Sequence, residues 1–397
     1  MTSARRLQEA DFAAVETMVN GYVEAGKTAG MLTLVSRDGE LLHRHRAGFA
    51  DIASRAPIRE DTIFRIYSMT KPLTSVALLQ FVERGLLDLD DPARRWIPAL
   101  GKLEVYGEGP LETDITVRQL LTHTAGFSYG FEPEKHPVDA LYAEVWQAGI
   151  QQRSLEELMD ALLQFPLLAQ PGTLWHYSIA TDICGYLVEL LADMPFGDYL
   201  QAQILDPLGM IDTAFEVSAD RVERFSTLYG PTESNSLAVL ETSDRSPFVP
   251  SLSGTPVRLH SGGGGLVSTA LDYWRFAQMM LNRGELDGRR IVAPETVELM
   301  TRNHVDASLL PLSYNGIAAG EYAGYGFGLG YCITMDPQQA AAAGSRGDFG
   351  WGGMADTYCW VDPAENLVGI LMQQYLPSLV QAGRKDFRDA VYASIRK

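Results

Sequence analysis

The chain has 397 residues, 46% of them hydrophobic and 21% charged, the balance of a globular protein rather than a disordered one. Its 50 acidic residues against 32 basic ones give a net charge of −18, which repels phosphate backbones and anionic membranes and so disfavours nucleic-acid and membrane roles. Three cysteines without CxxC spacing and seven scattered histidines without HExxH give no basis for a disulfide framework, a zinc site or a catalytic metal.

At the N-terminus, Phe12, Val15, Val19 and Tyr22 recur at helical spacing. Residues 1–26 contain no apolar run of signal-peptide type, and no later stretch reaches the ~20 apolar residues of a membrane span, so a cytoplasmic protein is expected. GMLTLVSRDGELLHRHRAGFAD then reads as two strands around an Asp38-Gly39 turn. The middle of the chain is helical in pattern: 72–87, 117–123, 155–165 and 180–194 carry apolar residues at helical spacing, punctuated by Gly and Pro. Near the end, FGLGYCITMD (327–336) and MADTYCWVDPAENLVGILMQQY (354–375) read as strands, the second segment folding back at 362–366, and a helical pattern closes the chain. These elements predict an α+β protein: an antiparallel sheet assembled from both termini and flanked by helices, at 1–80 and 205–397, with a helical domain inserted at 81–204.

Two short stretches carry signatures of a nucleophilic serine. SMTK at 68–71 is an S-x-x-K directly before a helix, which sets Lys71 nearly one turn after Ser68. An ammonium that is partly desolvated near the positive end of a helix dipole titrates below its ordinary value, and a neutral Lys71 can take the Ser68 proton. The bland alternative makes Ser68 a helix cap, with Pro72 fixing the first turn. GFSYG at 126–130 matches G-x-S-x-G, but that elbow needs a strand before its serine and a helix after it. Here VRQLLTH precedes and the polar, Pro-containing FEPEKHPVD follows, so Ser128 reads as a loop residue. Tyr177, in PGTLWHYSIATD, lies between helical segments where a phenol could shuttle protons.

The succession SMTK, LLTHTAGF, PGTLWHYS, HSGGGGLVSTALDY and FGWGG, from about Thr62 to Gln374, resembles the serine β-lactamase and penicillin-binding-protein superfamily. Within it the chain is most similar to class C β-lactamases and the family VIII carboxylesterases. The resemblance implies the β-lactamase/penicillin-binding-protein-like fold with a site between its two parts, Ser68 as acylated nucleophile, Lys71 as its base and Tyr177 as the second-motif tyrosine. It implies that the third motif is Trp351-Gly352-Gly353, a substrate-binding segment on an edge strand, with the N–H groups of Ser68 and Met354 forming the oxyanion hole. His260-Ser261-Gly262 is a competing match, set aside because GGGG followed by LVSTALDYWRFAQMML reads as a loop entering a helix. Two departures separate the chain from β-lactamases and peptidases: Ile179 stands where Tyr-x-Asn has Asn, and no lysine occurs between Lys135 and Lys385 to supply Lys-Thr-Gly. Without that cationic carboxylate anchor, for which Arg346 is the nearest substitute, a carboxylesterase acting on small-molecule esters of short acyl chains is expected, with no metal or organic cofactor. A β-lactamase or D-amino-acid peptidase, an acyltransferase and a catalytically silent binding or scaffold relative remain the alternatives. Tyr129, Phe131, Trp146 and Phe349 are candidates for the pocket wall, with core packing the default for each.

Overall fold

The Asp38-Gly39 dipeptide forms the turn its chemistry requires: both residues take positive φ, 53° and 80°, as the tight hairpin between β1 (Gly30–Arg37) and β2 (Glu40–Asp51) demands. The computed structural model describes residues 12–147, 153–234, 236–241, 257–313 and 322–395. The first eleven residues, part of the segment read for signal character, and the last two of the closing helical pattern lie outside them.

β1 and β2 continue into β3 (Ala56–Pro57), and the C-terminal half supplies β4 (Tyr325–Phe327), β5 (Cys332–Thr334), β6 (Phe349–Gly352), β7 (Tyr358–Asp362) and β8 (Leu367–Gln373). The eight strands form one sheet in the order β4-β5-β6-β7-β8-β1-β2-β3, every pairing antiparallel. The two ends of the chain meet at its centre, where Met31 pairs with Gln373 and Arg37 with Leu367. Segment 327–336 is two strand ends around a turn, because Gly330 (φ 95°) and the Gly328 N–H to Tyr331 carbonyl bond reverse the chain there. At 362–366 the chain folds back as its sequence indicates, Asp362 Oδ1 accepting from the N–H groups of Ala364 and Glu365.

Strand periodicity divides the core. Met31, Val35, Leu367 and Leu371 face one way and pack against Phe12, Val15, Val19 and Tyr22 beside α1 (Ala13–Glu24) and against Phe387, Val391 and Tyr392 of the C-terminal helix Gly383–Ile395. Leu32, Leu34, Val368, Ile370 and Met372 face the opposite way, into a larger core shared with the helices of the middle of the chain. Those helices are α2 (Thr70–Glu83), α3 (Val117–Leu121), α4 (Pro137–Gln147), α5 (Leu155–Leu162) and α6 (Ala180–Ala192), followed by α7 (Ala270–Leu281); the C-terminal helix is α8. α2 runs through the middle of this core, and Thr70–Phe81 are all buried. Among the described residues no helix is long and apolar enough to cross a membrane.

Candidate active site

Ser68 occupies a 3₁₀ turn, Tyr67–Met69, that runs directly into α2. The residue before it, Tyr67, holds φ at +41°, a conformation that costs a non-glycine residue about 1–3 kcal/mol and recurs at functional sites. Ser68 stands at the wall of a cavity of about 790 Å³, while Lys71, one turn on, is buried behind it with 1% of its surface exposed. The Lys71 ammonium Nζ lies 3.4 Å from Ser68 Oγ, 2.9 Å from the Tyr129 hydroxyl and 2.6 Å from the Gly263 carbonyl oxygen. It also sits 4.5 Å from the centre of the Tyr177 ring. Burial brings the Lys71 pKa down to about 7, and the nearby charge of Asp182 keeps it from falling further.

Tyr177, fully buried just ahead of α6, hydrogen-bonds the Ser68 side chain and accepts a 3.2 Å bond from Trp351 Nε1. Burial holds its pKa well above the ordinary value, so the phenol keeps its proton and acts as a donor. Its ring is wedged among His123, Tyr129 and Trp351, with centroids 4.7, 5.5 and 5.4 Å away.

Trp351 and Gly352 end β6, and Gly353 and Met354 follow; all four line the cavity with Ser68 and Tyr177. The edge-strand expectation needs correcting. β6 is third in the sheet, but β5 pairs only with its Phe349 and Gly350, so Trp351 and Gly352 have β7 on one side and the cavity on the other. The short partner strand creates locally the open edge that the strand order denies. His260-Ser261-Gly262 lies in the loop before α7, as its sequence indicates. His260 stacks on Phe215 at 4.8 Å and accepts from the Gly197 N–H, outside the cavity lining. The loop nevertheless reaches the site: Gly263 holds Lys71 through its carbonyl, and Asp182 fixes the loop by accepting from Ser261 Oγ at 2.5 Å and Gly263 N at 3.0 Å.

Of the groups around Lys71, Asp182 and Gly263 were not singled out from the sequence, Tyr129 was named only for the pocket wall, and Ser261 only within the match that was set aside. The only local signals were the run of four glycines at 262–265, too general to assign, and an acid five residues after Tyr177. Core packing describes Phe349, which is buried in the main core, but Tyr129, Phe131 and Trp146 line the cavity. Ser128 is wholly buried; its hydroxyl donates to Asp139 Oδ1 at 2.5 Å and accepts from the Gly130 N–H, which fixes the loop that carries Tyr129. Arg346 is exposed to solvent, donates to the Met335 carbonyl and is not among the cavity-lining residues. Among the described residues the cations that do line the cavity each face an acid: Arg384 with Asp356, Lys385 with Asp389, and Arg388 with Asp348. Among the described residues no group of three His, Cys, Asp or Glu side chains is arranged to hold a metal ion.

Comparison with known proteins gives the same order of segments a wider frame. The family model described as Beta-lactamase matches residues 15–394. Protein Rv1367c of Mycobacterium tuberculosis is 35% identical over 383 residues, covering 92% of this chain and 90% of that protein. Esterase EstB of Burkholderia gladioli is 32% identical over 387 residues, covering 92% of this chain and 91% of that one. Among solved structures, EstCE1, described as a hydrolase with promiscuous acyltransferase activity, superposes with a TM-score of 0.82 at 26% identity, over 97% of this chain and 99% of that one.

Proposed function

Because the chain belongs to the beta-lactamase family, we propose that it is a serine carboxylesterase that hydrolyses small-molecule esters through an acyl-enzyme on Ser68. The observation that carries this reading is Lys71: a buried amine with a pKa of about 7, 3.4 Å from the Ser68 hydroxyl at the wall of a roomy cavity. An amine that is neutral for half of its molecules near pH 7 is matched to taking a proton at that pH.

Ser68 Oγ attacks the ester carbonyl carbon as its proton passes to Lys71 Nζ. The carbonyl oxygen gains the negative charge and is met by the N–H groups of Ser68, in the first turn of its helical segment, and Met354. As the tetrahedral intermediate collapses, the ester C–O bond breaks and the leaving alkoxide takes the Tyr177 phenol proton, which Lys71 replaces. Water then attacks the acyl-enzyme through the same groups, releasing the acid and restoring Ser68.

Two features favour an ester over a β-lactam. By the motif resemblance Trp351 stands where Lys-Thr-Gly proteins carry their lysine, and the cavity cations are each paired with an acid, so a substrate carboxylate would meet no uncommitted charge among the described residues that line it. The similarity to esterase EstB supports the same choice. An acyltransferase is the second reading, favoured by a volume well beyond the needs of a short ester and by the description of EstCE1.

The test is turnover of p-nitrophenyl acetate and butyrate by wild type and Ser68→Ala, with a chromogenic cephalosporin alongside. Ester turnover that vanishes in the variant, with little cephalosporin turnover, is expected. Rapid cephalosporin hydrolysis would overturn the ester preference, and full activity in Ser68→Ala would overturn the nucleophile.

A further inference from the structure

The peptide linking Gly353 to Met354 has two polar ends. Its N–H, on Met354, is the second oxyanion donor of the proposed acyl transfer, and the role assigned below to Arg384 rests on that acyl-enzyme reading. Its carbonyl oxygen, on Gly353, accepts from the Asp356 N–H at 3.0 Å and from the Arg384 guanidinium Nη2. Arg384 stands in the first turn of α8 and reaches back across the sheet to this one peptide. Its Nε is 2.9 Å from Oδ1 of Asp356, whose side chain is wholly buried. Among the described residues neither Nε nor Asp356 Oδ2 has an aligned hydrogen-bond partner, so the pair is held by charge more than by direction. Asp356 itself sits at φ +65°, in the tight turn that brings its own N–H onto the same carbonyl. The strand makes room for the cation: a Cβ at Gly352 would lie 2.3 Å from Arg384 Nη1.

A cation hydrogen-bonded to an amide oxygen draws electron density from nitrogen toward oxygen, which leaves the N–H more positive. Two donors on one carbonyl also fix the plane of the peptide, and so the direction of its N–H. We propose that Arg384, seated by the buried Asp356, is a positioning residue that orients and polarises the Gly353–Met354 peptide so that the Met354 N–H meets the developing oxyanion. Because that charge exists only near the transition state, Arg384 acts on kcat and leaves ground-state binding alone.

The test uses Arg384→Gln and Arg384→Lys beside wild type, with p-nitrophenyl butyrate as substrate, unfolding midpoints measured, and competent sites counted from the p-nitrophenol burst. A second readout is an alkyl boronic acid. Its trigonal boron accepts an electron pair from Ser68 Oγ while the Ser68 proton goes to Lys71, giving a tetrahedral anion in the oxyanion hole.

Arg384→Gln is expected to lower kcat about 10- to 100-fold per competent site, less than the loss of a whole oxyanion donor, with KM within about twofold. Boronate affinity should fall by a matching factor, and Arg384→Lys should recover part of both. A folded Arg384→Gln with kcat and boronate affinity within about threefold of wild type overturns the proposal. So does a raised KM at unchanged kcat, which would make Arg384 a substrate contact. If neither replacement folds, Gly352→Ala carries the test, since its methyl displaces the guanidinium while the Arg384–Asp356 charges remain. There, a fall in kcat and boronate affinity at constant KM supports the proposal, and wild-type values of both overturn it. A wild-type enzyme that binds no boronate and is indifferent to Ser68→Ala refutes the acyl-enzyme reading itself, whatever Arg384 does.

Discussion

If Lys71 is the base, it sets the pH at which this site works, and burial, opposed by the charge of Asp182, sets Lys71. Bringing an ammonium from its ordinary 10.5 to about 7 corresponds to ~5 kcal/mol against the charged form, and burial supplies it. If the neutral amine is the base, kcat/KM follows its population, which is about 90% at pH 8 and about 1% at pH 5. The expected profile is a single acid limb centred near pH 7, with kcat/KM about 90-fold lower at pH 5 than at pH 8. Burial holds His123, behind Tyr177, well below its usual pKa and Tyr177 above its own. Asp182→Asn is the informative perturbation. Its amide oxygen can still accept from Ser261 and Gly263, so the loop that holds Lys71 is kept while the negative charge is lost. Asp182 favours the ammonium, so its removal lowers the Lys71 pKa further and moves the acid limb toward lower pH. The assay is initial-rate hydrolysis of p-nitrophenyl butyrate from pH 5 to 9 for wild type and variant. A wild-type profile flat down to pH 5, a limb near pH 10, or a limb that Asp182→Asn moves upward would refute the reasoning.

Three further outcomes are expected. Ser128→Ala should keep most esterase activity yet lose about 1–3 kcal/mol of stability by urea unfolding, because the buried Asp139 carboxylate forfeits a donor. His43, buried beneath Phe12, has its pKa lowered to about 4 by desolvation. As pH falls below 6.5 the unfolded chain takes up this proton before the folded one, so stability declines between pH 6.5 and about 4 and this contribution is flat below that. The group accounts for about 2 kcal/mol between pH 7 and pH 5, a difference that urea titrations at the two pH values should find reduced in His43→Phe. Gly353→Ala should abolish turnover and cost at least ~2 kcal/mol of stability, since its Cβ would stand 2.3 Å from the Ile66 carbonyl oxygen and 2.2 Å from Thr357 Oγ1; wild-type kcat in that variant would mean that the segment bends freely.

Much of this molecule was legible in one dimension because the signals are local. The Asp38-Gly39 turn depends on two residues' φ angles, α2 and α6 on apolar spacing, and the Ser68–Lys71 relation on the pitch of a single turn. Tyr177 and Trp351-Gly352-Gly353 came from the order of segments, a pattern of many residues that resembles a family; spacing alone would not have assigned them. What spacing could not supply was depth and long-range contact. Nothing in SMTK says that Lys71 is 1% exposed, yet burial is what leaves its amine partly neutral near pH 7. Nothing near Lys71 in sequence announces the Gly263 carbonyl, the Tyr129 hydroxyl or the charge of Asp182, which arrive from 192, 58 and 111 positions away. The open edge at Trp351 depends on where β5 stops, and Arg384 meets Gly353 only because α8 folds back over the sheet. Sequence determines which groups a turn or a helix face can offer; the folded chain decides which are dry, which are charged and which meet, because desolvation and hydrogen bonding depend on distance in space.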